Sequence, residues 1–392
     1  MANLLIVHGG GPTAVINGSL YGAVMAAKAD GTPAHIYGAI GGTEGVLNER
    51  FFDFKTCRSG RLETLLQTPG SAIGSSRTPL QNGDYEKMAE IFRKHDIRWV
   101  LLNGGNGTMD TCAKLAKACE GAGVSVVGIP KTIDNDIPFT DHAPGFGSAA
   151  RYLAATVREI TEDVRSLPIH VCIVEAMGRD AGWITAAAAL AGQAPGEGPD
   201  LLYVPERPFS KERFLSDVER LYREKGEAVV VASEGLKDET GAPVVPPVFQ
   251  VGRATYFGDV SAYLAELVIR ELGVKARSEK PGLAGRASVA WQSDVDLREA
   301  VAAGAKAAEW ALEGRTGVMV GLERESGKGY GVTFVPVDLS AGMLSARCLP
   351  DCYINARGNG VTESFCAWCR PLLGEAFPDF FHLPHRAGGT NL

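Results

Sequence analysis

No apolar run in the 392 residues approaches the roughly 18 needed to cross a bilayer, and Met1-Ala2-Asn3-Leu4 lacks the positive charge that opens a signal peptide. These two absences point to a cytoplasmic chain with no membrane partner. Clustered basic charge is also missing: Lys and Arg number 39 against 46 Asp and Glu, for a formal net charge of -7. Without a basic stripe to neutralise a phosphate backbone, nucleic acid is not an expected partner. In a cytoplasmic chain the 8 cysteines read as thiols rather than disulfides.

What is present is apolar residue and glycine. With 45% hydrophobic residues over this length, the chain can bury more than one core, so two domains are expected. Short apolar runs at Leu4–Val7, Trp99–Leu102, Val124–Ile129, His170–Val174, Leu201–Val204 and Ala228–Ala232 read as buried strands. Helical patterns between them, such as Val15–Lys28, Glu86–His95 and Met109–Glu120, make the sheets mainly parallel and sandwiched by helices. Ala194–Pro199 and Asp238–Pro247 read as loops too short to be linkers. Many of the glycines stand directly after a strand.

Two of those glycine turns are shaped to hold phosphates. His8-Gly9-Gly10-Gly11-Pro12-Thr13 and Asn103-Gly104-Gly105-Asn106-Gly107-Thr108 each end a strand and open a helix, so backbone N–H groups and a positive helix end face one place. Neither carries the Gly-Lys-Ser/Thr ending of a P-loop or the spaced glycines of a dinucleotide fingerprint. A tight structural turn is the plainer explanation of either one alone. A third strand end carries Asp134 and Asp136 in Pro130-Lys131-Thr132-Ile133-Asp134-Asn135-Asp136, with Pro130 expected to end the ladder. An Asp-Asn-Asp run can be merely a turn. At the C-terminal edge of a parallel sheet, however, paired carboxylates can take a proton from a hydroxyl and hold Mg2+, which suits phosphoryl transfer.

The chain resembles the phosphofructokinases, in particular the branch that includes pyrophosphate-dependent members. The resemblance is carried by Gly10-Gly11-Pro12-Thr13, Gly74-Ser75-Ser76-Arg77, the Gly104–Thr108 turn, the Pro130–Asp136 run, Thr140-Asp141-His142-Ala143-Pro144-Gly145, Glu175-Ala176-Met177-Gly178-Arg179 and Ser233-Glu234-Gly235. It implies an α/β fold of two domains, each a mostly parallel sheet sandwiched by helices, with the active site in the interdomain cleft. The domains expected are a donor-binding domain over 1–145, a sugar-phosphate domain over 146–290, and a segment over 291–392 packing back on both. It also implies transfer to the 1-hydroxyl of fructose 6-phosphate, with Mg2+, in a homodimer or homotetramer.

Carried over by position, the resemblance makes Asp134 the general base, with Thr132 beside the transferred group and Arg179 neutralising its charge. Gly10, Gly11, Arg77, Gly107, Thr108 and Lys131 fall where the family holds its donor. Met177, Gly178, Arg179, Glu234, Arg277 and Arg286 fall where it holds the sugar phosphate, as do Thr132, Asp134 and Asp136. His170 stands where many members present an Arg to a neighbouring subunit's sugar phosphate. Asp134 and Asp136 are the metal partners, and Asn106 replaces an Asp associated with Mg2+ in many ATP users.

Donor and acceptor stay open in this comparison. Gly107 matches ATP users, since pyrophosphate users carry Asp there, and this favours ATP. Lys131 matches pyrophosphate users and is compatible with both. On the acceptor side, Leu283 stands where a His or Tyr usually contacts the 6-phosphate, and Gly285 replaces a Gln, so a ketose with another C6 group, such as a sulfonate, is an alternative. A non-catalytic sugar-phosphate-binding regulator is a further one, which Asp134, Asp136 and Arg179 speak against. Separately, Cys348, Cys352, Cys366 and Cys369 form two close pairs that could bind structural zinc, or be four packed thiols.

Overall fold

The computed structural model describes residues 2–192, 197–251, 254–327 and 329–381. The apolar runs of the first third become β1 (Asn3–His8), β2 (Ile36–Ala39), β3 (Phe51–Asp53), β4 (Ile97–Gly104) and β5 (Ser125–Pro130). There follow β6 (Val171–Ala176), β7 (Leu201–Tyr203), β8 (Ala228–Ser233), a hairpin of β9 (Pro247–Val251) and β10 (Ala254–Phe257), then β11 (Ala276–Glu279), β12 (Val318–Arg324) and β13 (Val332–Asp338). Every residue of β1, β5, β6 and β8 is buried, as strands covered by helices on both faces must be.

Among the described residues, seven strands form one sheet in the order β13-β12-β5-β4-β1-β2-β3. Its interior pairs are parallel, while β3 and β13 pair antiparallel at the two edges. The second sheet, β11-β6-β8-β7, is parallel throughout. Residues past 312 therefore extend the first sheet. They also complete the second core, where Leu349, Phe365, Leu372 and Leu373 pack with Phe146, Leu153, Trp183 and Val231.

The six expected strands are present, and β5 ends at Pro130 as expected, opposite Gly104, with one further bond beyond it from Lys131 N to Gly104 O at 3.0 Å. In a parallel strand a proline can sit where its missing N–H is not required. The helix expected from Glu86 begins at Asn82, because the Gln81 and Asp84 side chains form a reciprocal capping box. The helix expected from Met109 begins at Asn106, which puts Gly107 and Thr108 in its first turn. Of the loop expected over Ala194–Pro199, residues 194–196 lie outside the described residues.

Helices Ile16–Asp30 and Asp294–Leu312 lie against each other with unusually close backbones. A Cβ on Gly22 would stand 1.9 Å from Val301 O, and one on Gly304 would stand 2.0 Å from Ser19 O. Glycine at both contacts is what lets the helices meet. This pair backs the seven-stranded sheet and holds the start of the first helix close to the end of β1.

Candidate active site

The chain leaves β1 toward β2 on one side and later returns to β4 on the other, so the C-terminal ends of β1 and β4 diverge into a crevice. Both glycine turns open there, joined by a bond from Gly9 N to Asn103 O of 2.9 Å. Thr108 fills the space between them: a Cβ on Gly9 or Gly104 would come within 2.3 or 2.2 Å of its Oγ1. Gly10 has φ of +75°, a conformation that favours glycine. Around Gly11 two guanidinium groups converge, with Arg77 Nη2 at 3.3 Å and Arg286 Nη1 at 3.4 Å from where its Cβ would be.

Lys131 completes a cationic cluster beneath the first turn. Its buried ammonium donates to Gly9 O at 3.1 Å and to Gly11 O. Burial, with Arg77 and Arg286 adding to it, lowers its pKa to about 8 against the pull of Asp134 and Asp136. This lysine is held charged but desolvated, at a place where an incoming polyanion would restore its full charge.

The carboxylates follow on a loop bound from several sides. Thr132 Oγ1 accepts from Asp134 N at 3.1 Å, and Asn135, at φ of +53°, accepts from Ala143 N at 3.0 Å through Oδ1. Asn106 Nδ2 donates to Asp136 at 3.0 Å through Oδ2 and at 3.2 Å through its carbonyl. Burial and the neighbouring Asp136 lift Asp134 to about 7, with Glu234 adding and Arg179 and Lys131 opposing. Asp136 is raised as well, first by burial. With protein groups alone, then, Asp134 is not fully ionised at neutral pH. A cation beside the pair would bring it down.

The facing wall comes from the second sheet. β6 and β8 end in register at Ala176 and Ser233, so Met177 and Glu234 leave the sheet together. Glu234 Oε1 accepts from the N–H groups of Gly178 and Arg179, each at 3.2 Å. These hold a turn in which Gly178 has φ of +135° and Arg179 has φ of +51°. Gly235 lies so close that a Cβ on it would stand 1.7 Å from Arg179 O. Glu234 thus anchors the arginine turn, a task the sequence did not disclose.

Two expected substrate residues are elsewhere. His170 precedes β6 and Arg277 pairs with Cys172 near its start, so both sit at the N-terminal edge. That is about 20 Å, six residues of strand, from Met177. Burial first, then Arg277 and Lys275, lowers the His170 pKa and disfavours its charged form. Within one chain these two face away from the cleft. Arg286, expected on the sugar phosphate, stands beside Gly11 and Arg77 on the donor side and senses Asp134. Leu283 is 66% exposed.

A metal ion would find Asp134, Asp136 and Asn106, whose Oδ1 is buried without a partner. Among the described residues no three His, Cys, Asp or Glu side chains gather as a metal site. Mg2+ keeps waters and takes phosphate oxygens, so two carboxylates and an amide oxygen could serve it. The four cysteines do not gather for zinc: Cys348 and Cys352 are exposed, Cys369 is buried, and Cys348 Sγ contacts Asp180 O at 3.7 Å.

Two residues near the site went unnoticed in the sequence. The Tyr152 ring occupies the space over Gly285, 3.1 Å from where a Cβ would be, and lines a small apolar hollow with Met177 and Pro281. Arg347 reaches the carboxylate loop from far along the chain. No local motif marks either.

The phosphofructokinase family model matches residues 3–311. The pyrophosphate–fructose 6-phosphate 1-phosphotransferase of Xanthomonas campestris pv. campestris is 38% identical over 391 residues, covering 95% of this chain and 92% of that one. The sulfofructose kinase of Alkalicoccus urumqiensis is 36% identical over 358 residues, covering 90% and 92%. The crystal structure of the pyrophosphate-dependent phosphofructokinase from Marinobacter aquaeolei superimposes with a TM-score of 0.87 at 35% identity, covering 97% and 94%. With a family model matching most of its length and relatives at 38% and 36% identity covered over nine-tenths of both chains, the chain belongs to the phosphofructokinase family.

Proposed function

We propose that this enzyme transfers a phosphoryl group from pyrophosphate to the 1-hydroxyl of fructose 6-phosphate. The observation that carries the donor is the buried Lys131 ammonium, flanked by Arg77 and Arg286 at the Gly10–Gly11 turn. Three cations packed against one short turn suit a small, densely charged anion, and relatives at 38% and 35% identity are named for pyrophosphate. A preference for ATP rests on Gly107 alone. A Cβ there meets nothing within 4 Å, so the position permits a nucleotide without recruiting one.

In this reading Asp134 accepts the proton of the sugar 1-hydroxyl as that oxygen attacks the nearer phosphorus. Lifted to about 7 by burial and Asp136 when protein groups act alone, Asp134 would be brought down by a cation beside it and so be ionised, the form in which it can take a proton. Lys131, Arg77 and Arg286 hold the phosphate that leaves, while Gly10, Gly107 and Thr108 shape its seat. Thr132 and Arg179 flank the group in flight, and Arg179 balances its charge. Met177, Gly178 and the free oxygen of Glu234 orient the sugar. Bound at Asp134, Asp136 and Asn106, Mg2+ would neutralise donor oxygens. His170 and Arg277 reach a sugar phosphate only in a neighbouring copy, so the working unit is a homo-oligomer.

A second reading concerns the acceptor. Leu283 offers no hydrogen bond, Tyr152 covers Gly285, and one relative is named sulfofructose kinase. A pocket with fewer cations discriminates less strongly for a dianionic terminus, so a ketose bearing a sulfonate at C6 is the alternative. Purified enzyme assayed with pyrophosphate and with ATP, each against fructose 6-phosphate and 6-deoxy-6-sulfofructose, separates the readings. Pyrophosphate with fructose 6-phosphate is expected to give the highest kcat/KM. A preference for ATP would overturn the donor assignment, and a preference for the sulfonate would replace the acceptor. Favouring fructose 6-phosphate by more than about a thousandfold, on the order of 4 kcal/mol, would retire the sulfonate reading.

A further inference from the structure

The loop from Asp134 to His142 holds two residues in left-handed conformations that ordinary side chains rarely adopt, Asn135 at φ of +53° and Phe139 at +62°. Such a loop keeps its shape only where surrounding contacts over-determine it. Its inner side is tied by Thr132, Asn106 and Ala143, as described. Its outer side is tied by a segment some 200 positions later. Arg347 N donates to Asp136 O at 2.8 Å, and Arg347 Nη1 donates to Thr140 O at 2.5 Å, so one residue grips the loop at both ends of its exposed turn.

The same residue is fixed in turn by the opposite wall. Trp183 Nε1 donates to Arg347 O at 3.0 Å, and the guanidinium carbon lies 4.3 Å from the centre of the Trp183 ring. The next two residues continue the connection: Cys348 Sγ contacts Asp180 O at 3.7 Å, and Leu349 N donates to Glu206 Oε1 at 2.7 Å. That carboxylate oxygen also accepts from Gly182 N at 2.8 Å. Asp180 directly follows Arg179, and Gly182 comes two residues later. Residues 347–349 therefore bridge the carboxylate loop, held by Arg347, and the chain just past the arginine turn, held by Cys348 and, through Glu206, by Leu349.

We propose that Arg347 is a positioning residue for phosphoryl transfer, clamping the Asp134–Asp136 loop at a fixed distance from the Arg179 turn. It touches neither substrate in this account and acts through Asp136 and Thr140. The clamp rests on the reading of Asp134 as base and goes beyond it, since residues 347–349 fall outside the 3–311 match to the family model. Displacing reacting groups by about 1 Å can lower a rate on the order of a hundredfold without loss of binding.

The test compares Arg347→Ala, Arg347→Met and Arg347→Lys with wild type and Asp134→Ala, using pyrophosphate and fructose 6-phosphate. The Ala and Met variants are expected to lose about ten- to a hundredfold in kcat, with each KM changed less than about threefold. The Lys variant, which keeps one donor for Thr140 O, is expected to recover part of that loss. Folded Ala and Met variants with kcat within threefold of wild type would overturn the clamp, as would a KM that rises in step with a falling kcat. Should the Ala and Met variants fail to fold, Trp183→Phe removes the donor to Arg347 O while keeping a ring under the guanidinium. It is expected to lower kcat severalfold at constant KM, and an unchanged kcat there would count against the proposal. Full turnover in Asp134→Ala would sink the base assignment, whereas an inactive Asp134→Ala beside a wild-type-like Arg347→Ala would sink the clamp alone.

Discussion

Asp134 stands at the end of a buried strand with Asp136 and Glu234 on one side and Lys131 and Arg179 on the other, so its proton affinity is a balance of opposed charges. Removing its carboxyl should cost at least roughly a hundredfold in turnover while sugar binding persists, as for loss of a general base. Turnover by Asp134→Ala and sugar affinity by calorimetry check this together. At Gly107 the open space predicts a donor-specific effect: Gly107→Asp should abolish any ATP use while pyrophosphate use falls less than about tenfold, because the new carboxylate obstructs only a nucleotide's further phosphate. Equal losses with both donors would show that the position does not select. These residues were legible because each sits in a short run whose chemistry is local. The place of Arg286 beside Gly11 and Arg77 was not legible, since which neighbour a residue meets across the cleft is decided by tertiary packing.

Between elements, a buried charge cluster carries much of the connection. His142 Nε2 bonds Glu299 at 2.7 Å, His142 Nδ1 bonds Asp141 at 2.9 Å, and Asp141 is gripped by Arg324 at 3.1 Å and by Trp368 Nε1 at 3.1 Å. Burial disfavours the imidazolium, yet Asp141 and Glu299 together more than offset it and raise its pKa to about 9. An unfolded histidine titrates near 6.5. The stabilisation from the charged ring is therefore complete below about pH 6.5 and drains away as pH rises through about 9. His142→Gln should destabilise the fold by about 3–5 kcal/mol near pH 6, and by markedly less at pH 9.5. Urea midpoints at the two pH values measure this, and a pH-independent difference would refute it. Gly22→Ala should likewise cost about 1–3 kcal/mol, because its methyl group would enter the backbone of the facing helix. Strands β1, β4, β5, β6, β7 and β8 were readable from apolar runs, whereas β2 and β12, which also pair parallel, were not. The edge strands β3, β11 and β13 were not, being short or only half-buried, so no continuous apolar run marks them.

At the scale of the whole molecule, the chain is threaded so that its end finishes what its beginning starts. β12 lies beside β5, and Leu349, Phe365 and Leu372 close the core behind β6 and β8. A protein ending at Asp338 should keep the strands of the first sheet yet expose Phe146 and Trp183. It is expected to be recovered mostly in the insoluble fraction, and a soluble product that unfolds like wild type would contradict that. The fold class was visible in the alternation of strands and helices; the contribution of the final segment was not, because its apolar residues are scattered and acquire meaning only against a surface built much earlier.

This threading also sets a timetable on the ribosome. When β5 emerges, the edge that β12 will cover is open, the Val126 carbonyl among its unpaired groups, and nearly two hundred further residues must be translated before its partner Gly317 and β12 exist. At about 5–20 residues per second that interval lasts on the order of ten to forty seconds. For that time a buried-type strand offers an open edge to any neighbouring nascent chain, so the yield of active enzyme should depend on translation speed and on chaperones that shield strand edges far more than the stability of the finished protein would suggest.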